Sequence, residues 1–267
     1  MKISVIISTK NEEKNIRRLL LNLKKQTFDN FEVIVVDNFS TDDTLKIASK
    51  FTDKIFQKGF ERSSQRNLGL KKASGKYILF LDADMVPESD VLNQCYLLME
   101  SNKNLAGVLI DEISIGKGFL AKIKALEKDL YYGGQFIEAV RFFRSKDLVQ
   151  IGGFDENLIS GEDWDLSQRI KKLGSFAKIS ARIYHYEESS LISDIKKKYY
   201  YAQHIKKYAV KHPKFFKKQA GVFDRFLLLF SKPKLILKHP AEFVGLIFLK
   251  YLQFLAYIIA NLNPRVR

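Results

Sequence analysis

The chain has a single cysteine in 267 residues. Cys95 therefore has no internal disulfide partner, which excludes a disulfide framework and suits a reducing compartment. It lies in the helical-looking stretch 91–99, where a small thiol serves as core filling. No signal peptide is recognisable, because the apolar run at 3–7 is too short for one and Ser4 interrupts it. No Gly-rich loop follows either of the first two strand-like segments, which argues against a Rossmann dinucleotide fingerprint and against a P-loop. Internal repeats and long low-complexity tracts are also missing. Acids are scarce in one region only. From Lys196 to Arg267 there are 16 Lys and Arg against Asp224 and Glu242, whereas residues 1–195 hold 29 bases and 28 acids. Nearly all of the net charge of +15 belongs to the tail, and the composition changes near residue 190.

A chain of this length holds one large domain, or a domain with an appendage, and buries a sizeable core. Its first hundred residues alternate between the two hydrophobic periods. Strands are predicted at 3–8, 31–36 and 54–56, and helices at 12–26, 41–51 and 63–73. The first helix carries Ile16, Leu19, Leu20 and Leu23 on one face. This β-α-β-α order predicts an α/β fold with a mainly parallel, doubly wound sheet.

A fourth strand, 77–81, is a run of apolar residues with Gly75 before it and Pro87 after it, and it ends on Asp82-Ala83-Asp84. In open α/β sheets ligands bind beyond the carboxyl ends of the strands. Two carboxylates at that position can hold a hard divalent cation and share it with substrate phosphates. A pair of surface acids in a turn is the structural alternative, yet nothing structural demands paired acids directly after such a run.

In a parallel sheet other loops converge on the same edge. Asp37 follows the second strand directly and is placed to accept a hydrogen bond from a nucleobase or ribose. Ser40, Thr41 and Asp42 read instead as a turn and helix N-cap. The segment 61–69 supplies Arg62 and Arg66, suited either to phosphate contact or to ion pairing on the helix surface. A second acidic group, Gly161-Glu162-Asp163-Trp164-Asp165, opens a helix. Acids favour a helix N-terminus, but three of them around the chain's only Trp exceed what a cap requires. An indole face beside a carboxylate makes a platform for a sugar with a base next to it.

Val35-Val36-Asp37-Asn38-Phe39-Ser40-Thr41-Asp42, Asp82-Ala83-Asp84, Gly152-Gly153-Phe154-Asp155-Glu156 and Gly161-Glu162-Asp163-Trp164-Asp165-Leu166 occur in this order. Over residues 3 to about 185 the set resembles the inverting family 2 glycosyltransferases of the GT-A fold. The resemblance implies a GT-A catalytic domain over 1–190, with a Rossmann-like nucleotide-binding sheet flanked by helices; the shift in charge and aromatic content marks 191–267 as a basic, aromatic-rich helical extension. The resemblance also implies a nucleotide-diphosphate sugar donor at Thr9, Asn11, Glu12, Asp37, Arg62, Arg66, Asp82 and Ala83, with Asp37 on the base and Asp82 on the ribose. Mg2+ or Mn2+ is implied at Asp84. His185 is a candidate to join that metal or a phosphate, or else a structural histidine between aromatics. The general base implied is Asp163, with Glu162 as the other choice. The acceptor, on a glycan or lipid-linked substrate, is expected near Trp164 and Asp165.

Two rival classes read fewer residues. The stretch 77–86 also fits the strand-DxD signature of haloacid-dehalogenase-type phosphatases, with Asp82 as nucleophile. That family places this strand first and needs a later lysine and a Gly-Asp…Asp motif, which Gly161–Asp165 fits poorly. A basic nucleic-acid-binding protein would use the tail and explain none of the acids, so no nucleic-acid partner is expected. The tail mixes bases with interfacial aromatics around 196–201, 206–208 and 226–230, a pattern for an anionic membrane surface. A helix over 241–261 would be about 31 Å long, enough to cross a bilayer. Lys250 near its centre would then cost roughly 2.5–3.5 kcal/mol. Glu242, Lys250, Gln253, Tyr257 and Asn261 recur as one polar stripe. The expectation is a peripheral or monotopic protein on the cytoplasmic face of a membrane, with this helix in the interface plane and a spanning helix as the alternative.

Overall fold

Short apolar runs alternate with amphipathic helices to build the first part of the computed structural model, which describes residues 1–59, 61–131, 139–187 and 190–262. The elements are β1 (Ile3–Thr9), α1 (Glu13–Leu23), β2 (Phe31–Asp37), α2 (Thr44–Ala48), β3 (Ile55–Gln57), α3 (Arg62–Lys72) and β4 (Tyr77–Asp82). There follow β5 (Met85–Pro87), α4 (Val91–Ser101), β6 (Leu105–Leu109), β7 (Glu112–Ile115), α5 (Phe119–Tyr131), β8 (Val140–Arg144) and α6 (Ser145–Gln150). Then come α7 (Glu162–Ile170), β9 (Ser175–Lys178) and β10 (Ile183–Tyr186). The helices α8 (Leu191–Lys211), α9 (Pro213–Ala220), α10 (Val222–Leu229), α11 (Pro233–Lys238) and α12 (Pro240–Leu262) complete the described chain. Two compact units divide it: Met1–Glu112, Ala139–Glu156 and Glu162–His185 form the first, and Ile113–Glu138, Asn157–Gly161 and Tyr186–Arg267 the second.

The first unit holds a seven-stranded sheet in the order β3-β2-β1-β4-β8-β6-β9. β1 pairs in parallel with both β2 and β4, so that Thr9 lies opposite Asp37 and Ser8 opposite Asp82. The carboxyl ends of three neighbouring strands thus present Thr9, Asp37 and Asp82 in one row. The sheet is mainly parallel, with β8 running antiparallel to β4 and β6. β5 pairs antiparallel with β10, which sets His185 opposite Met85.

Every residue of β1 is buried, as expected for a strand covered on both faces. Val5 and Ile7 join Ile16, Leu19 and Leu23 of α1 in one core, while Ile6 joins Ile34, Ile78 and Phe80 in the other. Each such side chain contributes about 1.5–3 kcal/mol by leaving water. α3 approaches β1 so closely that a Cβ on Gly69 would lie 2.4 Å from Ile6 Cγ2, which leaves room for glycine alone. α2 is shorter than the predicted 41–51 because Asp42 turns the chain ahead of it, its Oδ1 accepting from Thr44 N at 3.1 Å.

The second unit is helical and broader than the extension foreseen over 191–267, because it also takes in α5. Its core joins Ile123, Leu126 and Leu130 of α5 to Leu229, Leu246 and Leu249. Pro213 and Pro233 start their helices at the position where a missing N–H is harmless. α12 is the one helix among the described residues that is long and apolar enough to cross a membrane. Its polar stripe is not uniformly turned to solvent. Lys250 pairs with Glu127 of α5 and lies 3.1 Å from Gln253 Oε1, and Gln253 donates to Asp194 of α8 at 2.8 Å. Val244, Phe248, Tyr251, Phe254, Ile258 and Ile259 face outward instead.

Candidate active site

The row of strand ends is closed by hydrogen bonds between the first two loops. Asp37 is fully buried. Its Oδ1 accepts from Thr9 Oγ1 at 2.8 Å and from Ser40 Oγ at 2.5 Å, and its Oδ2 accepts from Ser40 N at 2.7 Å. A carboxylate offers about four acceptor positions, so acceptor capacity remains beside these three hydrogen bonds. Asn11 N donates to Ser40 Oγ at 2.7 Å, and Asn11 Oδ1 accepts from Thr41 N at 2.9 Å. Glu12 N donates to Thr44 Oγ1 at 2.7 Å. Thr9, Asn11 and Glu12 thereby lock the β1 loop to the β2 loop.

Two non-glycine residues in these loops adopt left-handed backbone, Asn11 at φ 54° and Phe39 at φ 51°. Asn tolerates that region, whereas an aromatic residue there stores about 1–3 kcal/mol of strain. The Phe39 ring is 59% exposed, so it does not recover this by packing.

The acids meet two arginines from α3. Asp82 Oδ1 accepts from Arg66 Nη2 at 2.9 Å and from Ser8 Oγ at 3.3 Å, while its Oδ2 lies 3.6 Å from Arg62 Nη1. Arg66 Nη1 donates to Asp163 Oδ1 at 2.7 Å, and Arg62 Nη2 lies 3.1 Å from Glu162 Oε1. Burial alone would raise the Asp82 carboxyl, but Arg66 and Arg62 outweigh it and hold the group well below the usual range. Glu162 behaves in the opposite way. Its burial, then the neighbouring Asp163, push its carboxyl up to about 7 against the pull of Arg62 and Arg66. Asp163, with its side chain 28% exposed, is the acid of the pair that reaches solvent.

Arg66 departs from the expected phosphate contact. It is 1% exposed and commits both terminal nitrogens to Asp82 and Asp163. Arg62 has a third of its side chain exposed while pairing with Asp82 and Glu162. Asp165 departs likewise from an acceptor role. It is fully buried, and its Oδ2 accepts from Arg169 Nε at 2.8 Å. Arg169 also donates to the carbonyls of Ile151 and Gly153 at 2.8 and 2.7 Å, so Asp165 anchors the start of α7 on that loop. Trp164 is half-buried, and Ala83 is buried between the two acids.

Asp84 and His185 come together: His185 Nε2 lies 3.0 Å from Asp84 Oδ2. Asp84 Oδ1 is buried and has no hydrogen-bond partner. An orphaned carboxylate oxygen beside an imidazole fits a divalent cation that takes its remaining oxygens from a diphosphate. Among the described residues no group of three or more His, Cys, Asp or Glu is arranged to hold a metal unaided. Glu112 and Arg141 were not anticipated. Glu112 Oε2 lies 4.0 Å from His185 Nδ1, and buried Arg141 pairs with Glu112. Their signal was an arginine inside the apolar run Val140–Arg144.

The poly(ribitol-phosphate) beta-N-acetylglucosaminyltransferase TarS of Staphylococcus aureus is 44% identical over 93 residues, which are 32% of this chain and 16% of TarS. The chain therefore spans only a small part of the length of that relative. The crystal structure of S. aureus TarS 1-349 in complex with UDP-GlcNAc superposes with a TM-score of 0.56 at 20% identity, covering 97% of this chain and 90% of that one. The mannosyltransferase PcManGT from Pyrobaculum calidifontis, in complex with GDP-Man and Mn2+, superposes with a TM-score of 0.66 at 19% identity, covering 99% and 88%. Residues 4–154 match the family described as glycosyl transferase family 2. The chain belongs to that family and has the GT-A fold.

Proposed function

We propose that the chain transfers a sugar from a nucleotide-diphosphate sugar to an acceptor hydroxyl with inversion at the anomeric carbon. One observation carries this reading. Asp82 at the end of β4 and the acid pair Glu162 and Asp163 at the start of α7 converge on Arg62 and Arg66, so a donor-side and an acceptor-side carboxylate stand within one network.

The nucleobase lies at the ends of β1 and β2, where the exposed Phe39 ring offers a stacking face and the Asp37 turn supplies hydrogen-bonding groups. Asp82 and Ala83 flank the ribose, and Arg62 neutralises phosphate charge. Asp84 and His185 would hold Mg2+ or Mn2+, which when bound supplies Lewis-acid stabilisation of the departing diphosphate. Asp163 takes the acceptor hydroxyl proton while that oxygen bonds to the anomeric carbon. The opposite carbon–oxygen bond breaks, and the diphosphate leaves with its electron pair. Trp164 gives the acceptor an apolar face. The phosphatase alternative asks Asp82 to act as a nucleophile, which its ion pairs with both arginines oppose.

The acceptor is a glycan, lipid-linked in this reading, on the cytoplasmic face of a membrane. Support comes from the outward apolar face of α12, from exposed Phe226 and Leu227 on α10, and from exposed Lys196, Lys197, Lys206 and Lys207 on α8. The test is a thermal-shift screen of UDP- and GDP-sugars with Mn2+. A donor at a hundredfold its dissociation constant adds about 2.7 kcal/mol, so one nucleotide class is expected to raise the melting temperature by several degrees. If no nucleotide sugar or nucleoside diphosphate binds, the reading is wrong.

A further inference from the structure

We propose that Arg66 is a positioning residue for the general base: its buried guanidinium ties Asp163 to Asp82, fixing the acceptor-side carboxylate to the donor edge of the sheet. This rests on the glycosyltransferase reading and on Asp163 as its base.

Three observations converge. The first is commitment. Arg66 Nη1 donates to Asp163 Oδ1 at 2.7 Å and Nη2 donates to Asp82 Oδ1 at 2.9 Å. At 1% exposure the group has no surface left for a phosphate. The planar fork of arginine holds its two carboxylates in one fixed relative geometry, which the rotatable ammonium of a lysine does not impose.

The second is the rigidity of its seat. The residues on either side of Arg66 are both clamped. Gln65 Nε2 donates to the carbonyls of Thr9 and Val36 at 2.9 and 2.7 Å, holding α3 to the ends of β1 and β2. Asn67 Nδ2 donates to Phe154 O at 2.9 Å, and Asn67 Oδ1 accepts from Phe154 N at 2.8 Å. The Phe154 ring lies beneath the guanidinium, with Cζ 5.2 Å from its centroid. A base held within a fraction of an ångström needs support of this kind.

The third is a division of labour along one helix face. Arg62 lies one turn before Arg66, is partly exposed and reaches Asp82 and Glu162 from the solvent side. It is the cation that incoming phosphates meet. Arg66 fixes Asp163 Oδ1, which leaves Oδ2 to receive the acceptor proton.

The test compares Arg66→Lys with wild type in the full chain. UDP and GDP binding with Mn2+ is measured by calorimetry, and turnover as hydrolysis of UDP-GlcNAc or GDP-mannose, whichever wild type accepts. Arg66→Lys is expected to keep nucleoside diphosphate affinity within about threefold and to lower kcat by roughly 10²-fold or more, the scale of a misplaced general base. In the Asp163→Asn background the same substitution is expected to cost almost nothing further, because its effect passes through Asp163. Phe154→Leu keeps every charge and removes the ring beneath Arg66, which also packs edge-on against Phe80. It is expected to lower kcat in the same direction by a smaller factor, and it serves if Arg66→Lys does not fold. Tenfold weaker nucleotide binding at unchanged kcat would make Arg66 a donor ligand and overturn the inference, as would additive losses with Asp163→Asn. If wild type itself bound no nucleotide, the donor reading would fail first and take this inference with it.

Discussion

His185 Nε2 lies 3.0 Å from Asp84 Oδ2 although 101 positions separate them in the chain. The pairing of β5 with β10 brings them together, and it leaves Asp84 Oδ1 buried without a partner. Asp84→Ala is expected to abolish Mn2+-dependent binding of UDP or GDP while the circular dichroism spectrum stays unchanged. His185→Ala is expected to weaken that binding by roughly 10–100-fold, the usual scale for a lost metal-site partner. Calorimetry with and without Mn2+ reads both, and unchanged metal dependence in Asp84→Ala would remove the metal from this site.

Asp163 and Glu162 are neighbours with different exposures, and only one is to act as the base. Asp163→Asn is expected to retain donor binding and to lose about 10²–10⁴-fold in turnover. Activity within a few-fold of wild type would transfer the role to Glu162.

Glu162 also gives the protein a signature in its stability. Its folded pKa of about 7 lies above its ordinary 4.5, so the fold favours the protonated acid. The penalty for ionising it is absent below about pH 4.5, grows as pH rises and is complete above about 7. Relative to Glu162→Gln, wild type is expected to lose on the order of 3 kcal/mol between pH 4.5 and 8. Urea denaturation across that range measures it. A flat difference would mean that Arg62 keeps Glu162 ionised throughout.

Local pattern explains why the row of strand ends was legible. The central parallel strands β1, β2 and β4 are mostly apolar runs, and Asp37 and Asp82 stand at the ends of β2 and β4 whatever the rest of the chain does. The orientation of a helix depends on distant partners and left no such trace. The acids of α7 look alike in sequence, yet its rotation exposes Asp163 and buries Glu162 and Asp165; Arg169, one turn on, was the only hint that Asp165 had an internal partner. The arginines of α3 are equally alike until Gly69 seats the helix on Ile6 and turns Arg66 inward. The recruitment of α5 to the second unit and the antiparallel entry of β8 rest on pairings across tens of residues, and no local signal announced either.

Phe39 is strained, exposed and next to Asp37. Phe39→Gly is expected to raise the melting temperature slightly, since glycine adopts φ near 50° without penalty. If the ring stacks a nucleobase, the same change is expected to weaken UDP or GDP binding by about 1–3 kcal/mol. Greater stability with unchanged affinity would leave the ring without a role in the donor site.

Removing α12 altogether is a poor test of membrane attachment, because Leu246 and Leu249 fill the same core as Ile123, Leu126 and Leu130, and losing a buried leucine costs about 2–5 kcal/mol. Its outward face can be changed without touching that core. Phe248→Ser, Phe254→Ser and Ile258→Ser in combination are expected to reduce co-sedimentation with anionic vesicles severalfold while nucleotide binding persists. Neutral vesicles are expected to bind wild type more weakly, since each engaged base adds roughly 1 kcal/mol at an anionic surface. The pairing of Lys250 with Glu127 relieves the charge that counted against a spanning helix, but it ties α12 to α5, and Gln253 ties it to Asp194 of α8. A spanning α12 would have to break those pairs or draw the lysine-rich α8 into hydrocarbon with it. Alkaline carbonate is therefore expected to strip the protein from membranes. Complete resistance to carbonate would show that α12 leaves its partners and spans.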